Sequence, residues 1–159
     1  MKFLKIDKEG NEILKILEEN SRTPLREIAK HLRSSEGMVH HRIERMKKDG
    51  IIERFSIVVN PEKIGIELTA LVQLKISGPD LWRAMDELAT RDEVRCVYSI
   101  PGDYNILLFC RFRDMKHLNE FLVDILEIRS VERSMVLPIL KKVKEDFTVL
   151  RKAPRPATL

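Results

Sequence analysis

The stretch Thr23–Gly50 reads TPLREIAKHLRSSEGMVHHRIERMKKDG, and its punctuation decides the fold. Thr23-Pro24 is a helix start, with Thr23 as the capping residue and Pro24, whose φ is already helical, at the first helical position. Leu25, Ile28, Ala29 and Leu32 then recur at the spacing of one buried helical face. Arg33-Ser34-Ser35 interrupts that pattern, and Ser35 caps a second helix. Met38, Val39, Ile43 and Met46 supply its apolar positions, and Gly50 stands where a left-handed residue closes the helix. Two short helices joined by so tight a turn have the spacing of a helix-turn-helix.

Upstream, Asp7 is placed to cap a helix carrying Ile13, Leu14, Ile16 and Leu17, which stops near Asn20-Ser21-Arg22. Gly10 weakens its first turn by roughly 1 kcal/mol relative to Ala. Downstream, Ile51 to Val59 is β-branched and apolar, and predicts a short hairpin or wing. Asn60-Pro61-Glu62-Lys63-Ile64-Gly65 is rich in turn formers and marks a linker. From Leu68 the period changes to two, with Leu68, Ala70, Val72, Leu74 and Ile76 on one side of a strand. A helix opened by Ser77-Gly78-Pro79, with Leu81, Met85 and Leu88 inward, leads to strands at 94–100 and 105–113. Asp114 caps a further helix bearing Leu118, Phe121, Leu122 and Ile125, and a last strand spans 134–143, where Pro138 indicates an edge or a bulge. Strand-helix-strand-strand-helix-strand is the ferredoxin-like order. Its helices cover one face only, so Leu71, Leu107 and Phe109 require a second subunit over the other.

The predicted class is therefore α+β: a winged helix-turn-helix over residues 1–60, a linker at 61–67, a ferredoxin-like βαββαβ domain over 68–145 and a basic tail at 146–159. Residues 1–60 carry 13 Lys/Arg against 10 Asp/Glu, residues 61–140 carry 10 against 13, and residues 141–159 carry 6 against 2. Basic ends around an acidic middle suit phosphate contact at the ends. The tail is open to two readings, a solubilising extension or a non-specific contact to DNA. No apolar run is long enough to span a membrane and the N-terminus lacks a signal peptide's apolar core, so a cytoplasmic protein is expected. Cys96 and Cys110 read as small hydrophobes. Abundant Lys and Glu beside a single Gln hint at a thermophile, which keeps a disulfide between the two cysteines in view.

On the second helix of the motif, positions 36, 37, 40, 41, 44, 45 and 48 point outward while Val39, Ile43 and Met46 anchor it. The candidate DNA-binding residues are Ser35, Glu36, Gly37, His40, His41, Arg42, Arg45 and Lys48. Ser35 and the helix N-terminus suit a phosphate, the histidines can donate to guanine or phosphate, and the cations grip the backbone. Glu36 either reads a cytosine amino group or serves the helix end. Arg42 is also open to pairing with an acid inside the domain. His40 and His41 are neighbours about 100° apart on the helix, not the i, i+4 pair of a chelate. No metal, cofactor or catalytic residue is predicted.

These segments together resemble the Lrp/AsnC (feast/famine) family of prokaryotic transcriptional regulators, over nearly the whole chain to about Glu145. The resemblance rests on Ile6-Asp7 with Ile13-Leu14, on Arg22-Thr23-Pro24 leading to Glu27-Ile28-Ala29, and on Ser35-Glu36-Gly37-Met38-Val39. It continues through Arg42-Ile43, Gly50-Ile51-Ile52, Asn60-Pro61 and Gly65. In the second half it rests on Gly102-Asp103-Tyr104, Leu118-Asn119-Glu120-Phe121 and Val131-Glu132-Arg133. It implies a DNA-binding unit joined to an ACT-like, amino-acid-sensing sheet domain, which forms homodimers and often octamers or similar rings. It also implies an effector site near Gly102, Asp103, Tyr104 and Asn105, at an interface between dimers. Two positions depart from the family's pattern. Gly10 replaces an acidic residue, and Asn105 replaces a carboxylate of the effector turn, which points toward a regulator that binds no effector.

Three functions follow. The first is a sequence-specific transcriptional regulator that responds to an amino acid, another small effector, or none. The second is an architectural protein that compacts DNA. The third is a haem-pathway decarboxylase of the same architecture, which His31, His40, His41 and His117 disfavour because they lie on predicted helices rather than lining a sheet cavity.

Overall fold

The computed structural model describes residues 6–128 and 130–150, in two compact units. One holds the chain up to Val58 together with the segment from Glu145 onward, and the other holds Val59–Lys144.

The first unit contains α1 (Lys8–Glu19), α2 (Leu25–Leu32) and α3 (Glu36–Lys48). Asp7 caps α1 through its carboxylate, which accepts from the Gly10 amide at 2.8 Å. Asn20 ends the helix and holds the following turn, accepting at its side chain from the Arg22 amide and at its carbonyl from the Thr23 hydroxyl. Thr23 therefore does not cap α2. Pro24 occupies the cap position, its carbonyl accepting from the Glu27 and Ile28 amides, one residue later than predicted. Ile13, Leu17, Ile28, Ala29, Val39, Ile43 and Met46 form the core. Met38, predicted to be inward, is 49% exposed, because the register that buries Val39, Ile43 and Met46 turns position 38 to the rim. Gly10 is buried, and a Cβ there would stand 3.0 Å from both the Asp7 carboxylate and Ile6.

Ile51–Val59 forms no hairpin. It has no Gly, Asn, Asp or Pro with which to reverse direction. Ile51 and Ile52 pack on the core, and the remainder runs extended with Ile57 and Val58 largely exposed. The expected linker is folded: Asn60 accepts from the Glu62 and Lys63 amides, a 3-10 turn spans Glu62–Ile64, and Gly65 closes it at φ +79°.

The second unit contains β1 (Leu68–Ile76), α4 (Leu81–Ala89), β2 (Val94–Ser99), β3 (Ile106–Phe112), α5 (Met115–Leu126) and β4 (Val131–Pro138). The four strands form one antiparallel sheet in the order β2-β3-β1-β4. Alternate residues of β1 and β3 (Ala70, Val72, Leu74, Ile76; Ile106, Leu108, Cys110, Phe112) are buried beneath Ala84 and Leu88 of α4 and Leu118, Phe121 and Ile125 of α5. The intervening residues, Leu71, Leu107 and Phe109, lie on the opposite face, where Leu71 pairs with Phe109 on one side and Leu137 on the other. His117 ties α5 to the start of β2. Its Nδ1 accepts from the Arg113 amide, which leaves the Nε2 proton for Glu93 at 2.8 Å.

β4 stops at Pro138, five residues short of the predicted Val143. Ile139 makes the last ladder bond, donating to the Thr69 carbonyl. Pro138 sits on an edge strand, as its missing amide requires. Cys96 and Cys110 are both free thiols. A register shift between Val94 and Cys96 puts Cys96 opposite Phe109, while Cys110 faces the helices, so the two thiols are not presented to one another. Burial pushes the Cys110 thiol up to about 12. Of the expected tail, residues 146–150 belong to the first unit, as does Glu145, expected in the second, and 151–159 lie outside the described residues.

Candidate nucleic-acid interface and effector turn

The turn between α2 and α3 is built by backbone bonds. The Ser34 amide donates to the Ala29 carbonyl and the Arg33 amide to the Lys30 carbonyl, the paired bonds of a Schellman closure. The same pair recurs after α3, from Ile51 to Met46 and from Gly50 to Lys47. Both closures need a left-handed residue. Gly50 supplies it at φ +70°, whereas α2 uses Arg33 at φ +52°, at a cost of about 1–2 kcal/mol for a residue with a Cβ. Ser35 then caps α3, its hydroxyl accepting from the Met38 amide at 3.2 Å.

With Val39, Ile43 and Met46 turned inward, Ser35, Glu36, Gly37, His40, His41, Glu44, Arg45 and Lys48 are all exposed. Nothing lies within 4 Å of where a Cβ at Gly37 would stand, so this surface is open at its N-terminal end. Arg45 is 3.6 Å from Asp49 with 75% of its side chain exposed, a contact weak enough to yield to another anion. Lys47 bonds Glu44 at 2.9 Å and holds that carboxyl below its usual range.

Arg42 is placed differently. Its guanidinium reaches back to α1, with Nη1 2.6 Å from Asp7 and Nη2 2.7 Å from Glu9. The Gly10 amide first, and then Arg42, hold the Asp7 carboxyl below its ordinary value, and Asp7 in turn raises Arg42. This cation faces its own domain, the arrangement left open for it in the sequence.

The four residues of the predicted effector turn are contiguous but differ in exposure. Gly102 takes φ +129°, Asp103 is exposed, and Tyr104 is half-buried. Asn105 is engaged at both ends of its amide. Oδ1 accepts from the Ile76 amide at 2.9 Å and Nδ2 donates to the Ile76 carbonyl at 2.8 Å. With its own amide donating to Leu74, Asn105 continues the β1–β3 ladder by side chain. A carboxylate could accept but not donate there, which gives this departure from the family's pattern a structural reason.

Sequence reasoning missed one site. Glu18 of α1 accepts from the Val149 amide at 2.5 Å and the Leu150 amide at 2.9 Å. These residues border a groove of about 740 Å³ lined also by Leu14, Leu17, Phe55 and Ile57. No periodicity signals a bond across 132 residues; the only hint in the sequence was a pair of apolar residues ahead of a basic end. Among the described residues no cluster of three metal-ligating side chains occurs, and no helix is long and apolar enough to cross a membrane.

Comparison with known proteins bears on both units. A winged helix-turn-helix DNA-binding model matches residues 11–53, and the Lrp/AsnC ligand binding domain matches residues 69–149. An uncharacterized HTH-type transcriptional regulator of Pyrococcus horikoshii is 36% identical over 145 residues, covering 91% of this chain and 97% of that protein. The structure of E. coli AsnC superposes with a TM-score of 0.86 at 28% identity, over 93% of this chain and all of that one. A Neisseria meningitidis regulator crystallised with L-Met shares the fold, with a TM-score of 0.82 at 23% identity, over 91% of this chain and 96% of that one.

Proposed function

Because this chain belongs to the Lrp/AsnC family of helix-turn-helix transcriptional regulators, we propose that it reads duplex DNA with the outward face of α3. Ser35 and Gly37 let the helix N-terminus approach a phosphate, while Glu36, His40 and His41 lie nearest the base edges. Arg45 and Lys48 hold the backbone further along. Arg42 is a positioning residue: by binding Asp7 and Glu9 it fixes the angle at which α3 leaves α1. The observation that carries the reading is the exposed α3 face, opposite a packed one and clear of its own domain. Selection of bound fragments from random DNA identifies a site. Arg45→Ala is then expected to weaken binding to it by roughly tenfold or more with the oligomer intact. Unchanged affinity would reassign the interface.

The sheet unit is the partner of this activity. Its helix-free face, with Leu71, Leu107 and Phe109 beside Met135 and Leu137, is the surface we assign to a second copy, and higher assemblies such as an octamer are built from that dimer. The reading assigns the chain to regulation and gives it no catalytic residue. Gly102, Asp103 and Tyr104 are the residues assigned to a small amino-acid effector. The L-Met complex of the Neisseria protein and the matched ligand-binding domain support that class. Asn105 acts through Ile76 by holding the turn, so its missing carboxylate does not argue against an effector. Calorimetry against the twenty amino acids is expected to give heat with at least one, and silence from all of them would make the regulator effector-independent.

A further inference from the structure

Three cations along α2 stand in a row that the fold does not need. Ile28 and Ala29 are buried beside Leu25 and Leu32, while Arg26, Lys30 and Arg33 are exposed. At about 100° per residue, positions four and then three apart share one flank of a helix. The row therefore runs for about 10 Å along the axis. Like charges at these spacings repel. Arg26 also sits in the first turn, where the helix dipole opposes a cation, and the last turn already has Lys30 and His31. Arg33 adds a further cost, because it holds the left-handed closure at φ +52°, a conformation that glycine takes without strain. None of the three makes an ion pair or a side-chain hydrogen bond among the described residues, and Glu27, the acid of this helix, does not pair with them.

Unfavourable placements with no compensation inside the domain point to an anion outside it. The position of the row identifies that anion. Arg33 is two residues before Ser35, which caps α3, so their Cα atoms are at most about 7.6 Å apart. In a helix-turn-helix the first helix crosses the sugar-phosphate backbone while the second enters the groove. Phosphates follow one another about every 3.4 Å of axis along a strand, so a row of this length can serve two or three of them.

We propose that Arg26, Lys30 and Arg33 form a phosphate track along α2, and that Arg33 is kept in its left-handed turn, although this lowers stability, as the contact that fixes where α3 enters the groove. This rests on the reading of α3 as the DNA-facing helix. The track is indifferent to sequence: it adds affinity to any duplex and sets the register in which α3 discriminates.

The test compares the full chain with Arg33→Gly, Arg33→Lys and Arg26→Ala/Lys30→Ala. Each is titrated across a salt series with the selected site and with a duplex of arbitrary sequence, and urea midpoints are measured in parallel. Arg33→Gly relaxes the turn and removes the cation. It is expected to raise the midpoint, to weaken binding to both duplexes severalfold, and to lower the slope of log K against log salt by about 0.9. Arg33→Lys keeps the charge and is expected to retain the parent's slope. The double variant is expected to lose about 1.8 of slope with a midpoint no lower than the parent's. A midpoint lowered by Arg33→Gly, or affinities and slopes unchanged in it and in the double variant, overturns the proposal. Arg45→Ala separates this outcome from the reading of α3. If Arg45→Ala alone weakens binding, α3 reads DNA without the track. If only the track variants weaken it, the phosphate contacts stand and the register role of Arg33 falls with the α3 reading; if none does, both fall.

Discussion

Asn105 joins two bonds that an acid of the same size could not hold together, one accepted from and one donated to the same residue of β1. Asn105→Asp keeps the shape, loses the donor and sets a negative charge against the Ile76 carbonyl. A partly buried acceptor left without its donor costs about 1–3 kcal/mol, and urea denaturation is expected to register a loss of that size. A variant as stable as the parent would mean that the amide hydrogen does no structural work. Arg33 is a second single-residue decision. It takes the left-handed position that Gly50 fills at the other closure, and its long exposed side chain is thereby carried on the turn beside Ser35. Neither role was legible in the sequence. Asn105 looked like a missing carboxylate because its partner is 29 positions away, and Arg33 sits where a glycine would have been the expected signal.

At the scale of elements the sequence was far more informative. Asp7, Ser35 and Asp114 each cap the helix that their position foretold, because capping is decided within one turn. The strand order and the apolar alternation of β1 and β3 were readable for the same reason. The wing was not. An apolar β-branched run states that a segment is extended but not that it has a partner, and Ile51–Val59 lacks a turn with which to make its own. For the brace between α1 and α3, the sequence left Arg42 open to an acid inside the domain but did not say which, since Asp7 and Arg42 are 35 positions apart. The brace has a pH signature. Asp7's folded value lies below its ordinary 3.8, so the stability it confers is complete above that value and is lost as pH falls through the lowered one. The stability difference between the parent and Asp7→Asn is therefore expected to be constant from about pH 5 to 8 and to shrink below about 3.8. Urea midpoints measured at stepped pH check this. A difference that widens on acidification would contradict the brace.

For the whole molecule, a single reading helix makes few contacts, and joining two of them raises affinity through effective concentration. The sheet face is where that joining is assigned. Phe109→Asp places a charge at the centre of the apolar patch formed with Leu71 and Leu137 and changes no residue of the helix-covered core. It is expected to shift the protein toward monomers in sedimentation, with DNA affinity falling by at least about tenfold as the paired site is lost. An oligomer that survives the substitution would place the interface elsewhere.

Pro138 has a further consequence at this scale. Ile139 turns its amide inward to Thr69, so the neighbouring position 138 faces away from β1, toward the open edge of the sheet. A proline there takes nothing from the native ladder, yet it removes a donor that a passing strand would need. With apolar Met135 and Leu137 just before it, this edge would otherwise be a template for runaway strand addition. One pyrrolidine ring thus leaves this position of the rim with nothing to donate to an added strand.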